Sequence, residues 1–293
     1  MRAAAPKYWR KMFRPCIDVR GGRVVQLEQG ARLALTDARA PVEIARLYER
    51  DHLEGGHVID LDGGANKSVI LPALRYAKLQ VGGGIRLENG REYLEAGAAQ
   101  LIFSSAVFKK EGVDWDHLAA LARAFGRERL VLAPDVREQR EIWVQQWKAP
   151  TGLRLTARLL RRLARYCAAF LVHSIEVEGL EGGVDWSLAR FLARTSPIPV
   201  VYAGGCNALE TVRRLHDLGL DVTIGKAYFA GRMAHGELVA LNRRLQGEGR
   251  EVATGALTFP AVSKLRTDLS PCRSWDSFAA PRPSRGRRQG RGI

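Results

Sequence analysis

Eight short apolar runs recur along the chain, and amphipathic stretches separate them. Their length and apolar composition predict buried strands. Four intervening stretches, 41–50, 87–98, 116–126 and 155–167, place apolar residues at helical spacing. Strands alternating with helices predict an α/β fold with a parallel sheet, and eight such units favour a closed (β/α)8 TIM barrel. The runs are FRPCIDV, HVIDLDG, KLQVGGG, QLIFSSA, RLVLAPDV, FLVHSIEV, IPVVYAGG and DVTIGKA.

The second half of the chain loosely repeats the first. Glycine pairs, strand ends and two aspartates recur at offsets of 116 to 121 residues. Such repetition is typical of a duplicated structural unit. We therefore expect a barrel built from two similar half-barrels. The matching pairs are Gly83-Gly84 with Gly204-Gly205, 102–108 with 223–229, Asp60-Leu61-Asp62-Gly63 with Glu176-Val177-Glu178-Gly179, and Asp18 with Asp135.

The strand pattern occupies only the middle of the 293 residues, so the sequence predicts three segments. Residues 1–12 form a basic N-terminal extension, 13–246 the barrel and 247–293 a basic tail. The tail ends in PRPSRGRRQGRGI, which has almost nothing to bury, and we interpret it as disordered. Two roles for it stay open, a solvated extension without function and an arm that binds a partner.

The net charge of +15 suggests an anionic partner, and its distribution narrows the choice. Residues 1–14 carry five Lys and Arg and no acid, and 250–293 carry a surplus of six, which leaves +4 for 15–249. A mildly basic body suits a small anionic metabolite, whereas nucleic-acid binding would depend on the basic ends. Salt-sensitive retention on DNA or RNA, abolished by deleting 250–293, would identify a nucleic-acid-binding protein.

Cysteine spacing and hydropathy indicate the cellular compartment in which the protein is expected. The four cysteines form no Cys-x-x-Cys pair and no short disulfide spacing, which fits a reducing compartment. No run reaches the roughly 18 apolar residues of a membrane span, and the N-terminus lacks the apolar segment of a secretory signal. We expect a cytoplasmic monomer without membrane contact, and the basic N-terminus leaves import into an organelle open.

Asp18 and Asp135 are candidates for acid–base chemistry. Each follows a short apolar run, and the active sites of barrels lie at the C-terminal ends of the strands. Either residue could instead cap a turn. Because the two occupy equivalent places in the two halves, they would face each other across one pocket. Tautomerisation needs such a proton donor and proton acceptor.

Glycine-rich strand ends predict two phosphate sites. Backbone amides at such turns approach phosphate oxygens closely because glycine has no side chain, and a following helix dipole favours an anion. A single Gly-Gly could be merely a tight turn, but here the pairs repeat in both halves. The expected partner is a small-molecule substrate with two phosphates. The first phosphate cup comprises Gly83, Gly84, Ser104 and Ser105, and the second Gly204, Gly205, Gly225 and Lys226.

Polar residues also cluster at the end of the sixth run. His173 and Ser174 are candidates for substrate binding, with a satisfied structural polar residue as the alternative. Acids nearby and at 60–62 could suggest a metal, but no His-x-x-x-His spacing supports one, and proton transfer beside a bound phosphate requires none. We expect neither a metal nor another cofactor. After the fifth run, Trp143 and Trp147 either stack on a heterocycle or pack in the loop.

At these motifs, over residues 13–246, the chain resembles the phosphoribosylformimino-aminoimidazole carboxamide ribotide isomerase family of histidine biosynthesis. RPCIDVRGGRVVQLEQG is similar to the family's first strand and loop, VGGGIR and YAGG to its phosphate turns, and FLVHSIEVEGLEGGVD to its eukaryotic-type branch. The resemblance implies an Amadori rearrangement without a cofactor, in which an aminoaldose opens, loses its C2 proton and becomes an aminoketose. It also implies that Asp18 is the base and Asp135 the acid.

The sister cyclase, the cyclase subunit of imidazole glycerol phosphate synthase, is the main alternative because it shares the repeat, the paired aspartates and VGGGIR. Gln26 favours the isomerase, since the cyclase usually has a lysine there. The tryptophan-bearing loop after Asp135 is also similar to the isomerases. One departure lies at His173, where many bacterial isomerases have a threonine. A non-catalytic barrel would be favoured instead if replacing Asp18 left every cellular phenotype intact.

Overall fold

The computed structural model describes residues 13–28, 32–177 and 183–251. Within them, eight strands close into a barrel, because each pairs in parallel with the next and the eighth pairs with the first. The predicted (β/α)8 barrel is confirmed. Its strands are β1 (Phe13–Arg20), β2 (His57–Asp60), β3 (Gln80–Gly82), β4 (Gln100–Phe103), β5 (Leu130–Leu132), β6 (Ala169–Ser174), β7 (Val200–Ala203) and β8 (Asp221–Ile224).

Helices follow the strands, and local capping sets their bounds. The predicted helix 87–98 begins only at Gly90, because the Asn89 side chain accepts from the Arg86 amide and holds a turn there. The predicted helix 155–167 begins after Thr156, whose hydroxyl caps Leu159 N. The helices are α1 (Pro41–Arg50), α2 (Lys67–Ile70), α3 (Gly90–Glu95), α4 (Trp115–Phe125), α5 (Ala157–Leu163), α6 (Trp186–Thr195), α7 (Leu209–Asp217), α8 (Lys226–Phe229) and α9 (His235–Glu251), with 3-10 turns at Leu71–Arg75 and Arg127–Arg129.

The segment boundaries differ from the prediction at one end. Helix α9 continues to Glu251, beyond the expected end of the barrel at residue 246. The predicted extension, 1–12, and the tail from 252 onward lie outside the described residues. Within the described part of the chain, no helix is long and apolar enough to cross a membrane.

Strand periodicity decides which side chains enter the barrel. In β6, Phe170 and Val172 pack in the core shared with the helices, whereas Ala169 and Leu171 belong to a second buried cluster between the strands. Alternation by two therefore points His173 into the barrel and Ser174 outward. The same rule points Asp18 inward, because its neighbours Ile17 and Val19 belong to the helix-side core.

Two antiparallel hairpins that the sequence did not predict extend β1 and β5 beyond the barrel. The first pairs Arg23–Glu28 with Arg32–Asp37. In the second, Glu141–Val144 lies between Asp135–Arg137 and Ala149–Arg154 and pairs antiparallel with both. Asp135–Arg137 also pairs in parallel with β6. The turn at 145–147 has positive φ at Gln145, Gln146 and Trp147, without the Asn-Gly or Gly signal that marks a hairpin in a sequence.

Candidate active site

A cavity of about 720 Å³ lies at the C-terminal ends of the strands. It is bounded by the strand ends of the first half, by Asp135 and His173 of the second half, and by the turn of the second hairpin. This is the end of the barrel where the fold places active sites. The lining residues are Asp18, Arg20, Leu27, Asp60, Leu61, Asp62, Gly63, Gly83, Gly84, Ser104, Ser105, Asp135, Val144, Gln145, Gln146, Trp147 and His173.

A second cavity of about 130 Å³ shares three of these residues, Asp18, Asp135 and His173. Its other lining residues come mainly from β1, β2 and the second half of the barrel. They are Cys16, Gln26, His57, Ala133, Leu171, Ala203, Gly204, Thr223 and Gly225. The two predicted acid–base residues therefore lie where both cavities meet, with a predicted phosphate cup on each side.

Asp135 is held by two side chains from neighbouring strands. It follows β5 and pairs in register with His173 of β6, whose Nδ1 lies 3.2 Å from Asp135 Oδ1. On the other side, the Ser104 hydroxyl donates to Asp135 Oδ2 at 3.5 Å. Each carboxylate oxygen thus has its own neighbour, and the carboxyl still lines both cavities.

The glycine pairs of the two cups pack alike, as the half-barrel repeat requires. A Cβ on Gly83 would lie 2.0 Å from the carbonyl oxygen of Asp60 at the end of β2. A Cβ on Gly204 would lie 2.5 Å from the carbonyl oxygen of Ser174 at the end of β6. Both residues have positive φ, at 88° and 106°. Glycine is therefore required here by close backbone packing, whatever the turn also binds.

Most, but not all, of the predicted site residues line the cavities. Gly83, Gly84, Ser104 and Ser105 line the larger one, and Gly204 and Gly225 the smaller one. Three residues line neither: Ser174, Gly205 and Lys226. Ser174 is buried on the helix side beside Tyr202, Gly205 packs against Gly183, and Lys226 pairs with Glu28 of the first hairpin.

The predicted match of Asp60 with Glu176 is wrong by two residues. Strand register pairs Asp18 with Ile59 and Asp135 with His173, so Ser174 occupies the place of Asp60. Glu176 lies beyond β6, where its carboxylate accepts from the Glu138 amide at 3.2 Å. The sequence match failed because it aligned two acidic segments by their composition. The first segment begins with the last residue of β2, whereas the second begins two residues after the end of β6.

Asp60 and Asp62 support a loop through Asn66, a residue that the sequence analysis missed. Asn66 Nδ2 donates to Asp60 at 2.7 Å and to Asp62 at 2.8 Å, and its Oδ1 accepts from Gly22 N at 2.6 Å. Asp62 also accepts from Gly21 N at 2.7 Å. The network fixes the turn that follows Asp18. Across the described residues, no three His, Cys, Asp or Glu side chains are grouped so that they could hold a metal ion.

Replacing Asn66 with Ala should lower the free energy of unfolding by about 2–4 kcal/mol, because buried polar partners then lose their hydrogen bonds. Urea unfolding measures the change. Asn89→Ala is the matched control, since Asn89 makes two backbone bonds, to Arg86 N and Gly84 O, in a more exposed turn. An Asn66 variant no less stable than the Asn89 variant would contradict the structural role of this network.

His57 is a second residue that the sequence analysis missed. It lies on β2, is buried, and lines the smaller cavity with His173. Burial, and then repulsion from His173 and Arg14, lowers its pKa from 6.5 to about 3. His57 is therefore neutral near pH 7. No sequence signal marks His57, because it opens a short apolar run whose residues are expected to pack in the core.

The low pKa of His57 predicts a loss of stability in acid. The unfolded chain binds the proton below about pH 6.5, whereas the folded protein binds it only near pH 3. The contribution of His57 to the free energy of unfolding is complete above pH 6.5. It falls by at most about 5 kcal/mol as the pH drops from 6.5 to 3. Urea unfolding from pH 7.5 to 4 should show a smaller decline for His57→Gln. An identical pH dependence of the two proteins would contradict the assignment.

Trp143 and Trp147 have different surroundings, although both come from the second hairpin. Trp147 lines the larger cavity, and its ring meets the ring of His173 edge to face, with centroids 5.1 Å apart. The guanidinium of Arg137 lies over the ring of Trp143, with its Cζ 5.3 Å from the ring centroid. Packing therefore accounts for Trp143, and Trp147 is the tryptophan that a ligand in the cavity would meet.

A closed (β/α)8 barrel whose strand ends bring two carboxyls to the junction of two cavities defines a class of barrel proteins equipped for acid–base chemistry. The family model described as "Histidine biosynthesis protein" matches residues 12–234. That match covers more than half of the chain. The chain therefore belongs to the histidine biosynthesis protein family.

Relatives in plants, fungi and bacteria are each named a 1-(5-phosphoribosyl)-5-((5-phosphoribosylamino)methylideneamino)imidazole-4-carboxamide isomerase. The protein of Medicago truncatula, also named chloroplastic, is 37% identical over 78% of this chain and 80% of its own length. That of Neurospora crassa is 35% identical over 79% of this chain and 98% of its own. That of Desulforudis audaxviator is 34% identical over 78% and 90%.

Proposed function

We propose that this chain is an intramolecular aldose–ketose isomerase of histidine biosynthesis. Its substrate is the phosphoribosylformimino aminoimidazole carboxamide ribotide aminoaldose, and its product is the corresponding aminoketose. The observation that carries the proposal is the position of Asp18 and Asp135, at equivalent strand ends where the two cavities meet. The relatives' shared name supplies the substrate, and the sister cyclase has no support among them.

The two carboxyls suffice for the rearrangement. Asp135 donates a proton to the ring oxygen of the aminoribose as the bond from C1 to that oxygen breaks, and the nitrogen lone pair forms a C=N bond. Asp18 then removes the C2 proton, and the released electrons give an enolamine that tautomerises to the ketone. No electron leaves the substrate, so the step needs no oxidant or reductant.

The two phosphate cups would hold the ends of an extended substrate. Its name contains two phosphoribosyl groups, which matches one cup in each half of the barrel. Anchoring both ends would place the reacting C1 and C2 atoms between Asp18 and Asp135, so that binding energy reduces the entropic cost of reaching the reactive geometry. Trp147 would close the cavity above His173.

The test is a direct one. Purified protein should convert the aminoaldose to the aminoketose, and the gene should rescue an isomerase-deficient histidine auxotroph. Asp18→Asn, expressed at the same level, should do neither. Conversion should survive EDTA, because the proposed proton transfers use protein groups alone. A protein that binds the substrate but never converts it would overturn the proposal in favour of a non-catalytic barrel.

Two expectations about the protein's oligomeric state and location accompany this proposal. We propose a monomer, since one chain carries both carboxyls and both cups, and size-exclusion chromatography with light scattering tests this. We also propose a cytoplasmic location, with organelle import as the alternative that the Medicago truncatula relative's name suggests. Fluorescent tagging at the C-terminus, which leaves residues 1–12 unobstructed, distinguishes the two.

A further inference from the structure

The two halves of the barrel differ at the residue beside each aspartate. In the first half, the register neighbour of Asp18 on β2 is Ile59, whose side chain has no hydrogen-bonding group. In the second half, the register neighbour of Asp135 on β6 is His173. A polar residue at this one place breaks the half-barrel symmetry. The two carboxyls thus have different neighbours, as two carboxyls with different roles require.

The surroundings of His173 hold its ring in place. Its Nδ1 lies 3.2 Å from Asp135 Oδ1, and its side chain is only 21% exposed. Trp147 packs against the ring edge to face. His57 lines the smaller cavity with His173 and is neutral near pH 7, because burial lowers its pKa to about 3. Asp18 and Asp135 line both cavities beside His173, and Asp60 and Asp62 line the larger one.

We propose that His173 is a positioning residue for Asp135: its Nδ1–H donates to Oδ1 and leaves Oδ2 to carry the transferred proton. The inference rests on the proposed function. An oxygen that accepts a hydrogen bond from an N–H is a poor site for a proton, so the other oxygen is protonated. Oδ2 is the oxygen beside the Ser104 hydroxyl, at the first phosphate cup, and that hydroxyl can rotate to accept from a protonated Oδ2, which an N–H cannot do.

His173→Leu removes the donor, and His173→Asn keeps a shorter one. The Leu variant should lower kcat by about 10- to 100-fold and change KM by less than about threefold, because the acid proton is then delivered from the wrong oxygen or rotamer. The Asn variant should recover a substantial part of the lost kcat. A side chain that only filled space would show no such recovery, because Asn fills the site less well than Leu does.

A matched control exists at a second His–Asp pair away from the cavities. His235 Nε2 lies 2.7 Å from Asp51 Oδ2 and joins the start of α9 to the end of α1. His235→Asn should cost stability and leave kcat and KM unchanged. Thermal unfolding of all three variants separates lost folding from lost catalysis.

The outcomes separate this inference from the proposed function. An active wild type with a folded His173→Leu variant of unchanged kcat overturns the positioning role alone. A raised KM with normal kcat also overturns it and assigns His173 to substrate binding. A folded wild type without isomerase activity overturns the proposed function, on which the inference rests.

Discussion

Asp18→Asn and Asp135→Asn should each lower kcat by at least about 100-fold while KM changes little. Asn has nearly the same size and shape as Asp, but its amide neither accepts nor delivers a proton at the pH of the assay. Contacts to the phosphates and rings remain, so the loss falls on the transition state. Steady-state kinetics on the purified variants measure both constants.

Two comparisons make the aspartate experiment decisive. Asp116→Asn removes an exposed carboxylate from α4, outside the barrel, and should leave kcat unchanged. The double variant should be only slightly slower than the worse single one, because the two groups act in one sequence of proton transfers. Near-normal turnover in either single variant would show that the missing proton comes from another group.

The barrel could be predicted because its signals are local and repeated. Each strand is a short buried run, each helix has one apolar face, and eight consecutive units leave few alternatives to closure. The two aspartates could be found for the same reason. They end strands at equivalent places in the two halves, and the strand period alone points Asp18 inward.

The surroundings of the aspartates could not be predicted, because they depend on contacts between distant segments. Asn66 lies 44 residues from the Gly22 amide that it binds, and no local pattern marks such a pair. Pairing of Asp135 with His173 follows from strand register, which the sequence match had placed two residues away. Ser174 was predicted for the site because it follows His173 in the chain. Neighbouring residues of a strand point to opposite faces, so its hydroxyl points away from the cavity.

The two-phosphate substrate is best tested by substitutions that place a negative charge at each phosphate cup, and not by substitutions that add a bulky side chain. A bulky side chain at Gly83 or Gly204 is an unsuitable test, because a Cβ there would overlap backbone atoms and the variant would disturb the barrel itself. Ser105 is exposed at the first cup. Gly225, at the second, has negative φ, and the atoms nearest to a Cβ there are side-chain atoms, Gln26 Oε1 at 2.5 Å and Cys16 Sγ at 2.9 Å. These side chains must shift, which the Gly225→Ala control measures, whereas at Gly83 and Gly204 the overlap is with the backbone.

Ser105→Asp and Gly225→Asp should each raise KM by at least about 30-fold over their neutral controls, Ser105→Asn and Gly225→Ala. A carboxylate about 4 Å from a phosphate costs about 4 kcal/mol per pair of unit charges at a surface-like dielectric, and partial exposure reduces that cost. Steady-state kinetics at constant ionic strength give KM, and circular dichroism checks the fold. Both cups must respond, because a substrate held at two ends loses affinity at either. If only one charged variant raised KM while both stayed folded, the enzyme would recognise a single phosphate, and the bisphosphorylated aminoaldose would be the wrong substrate.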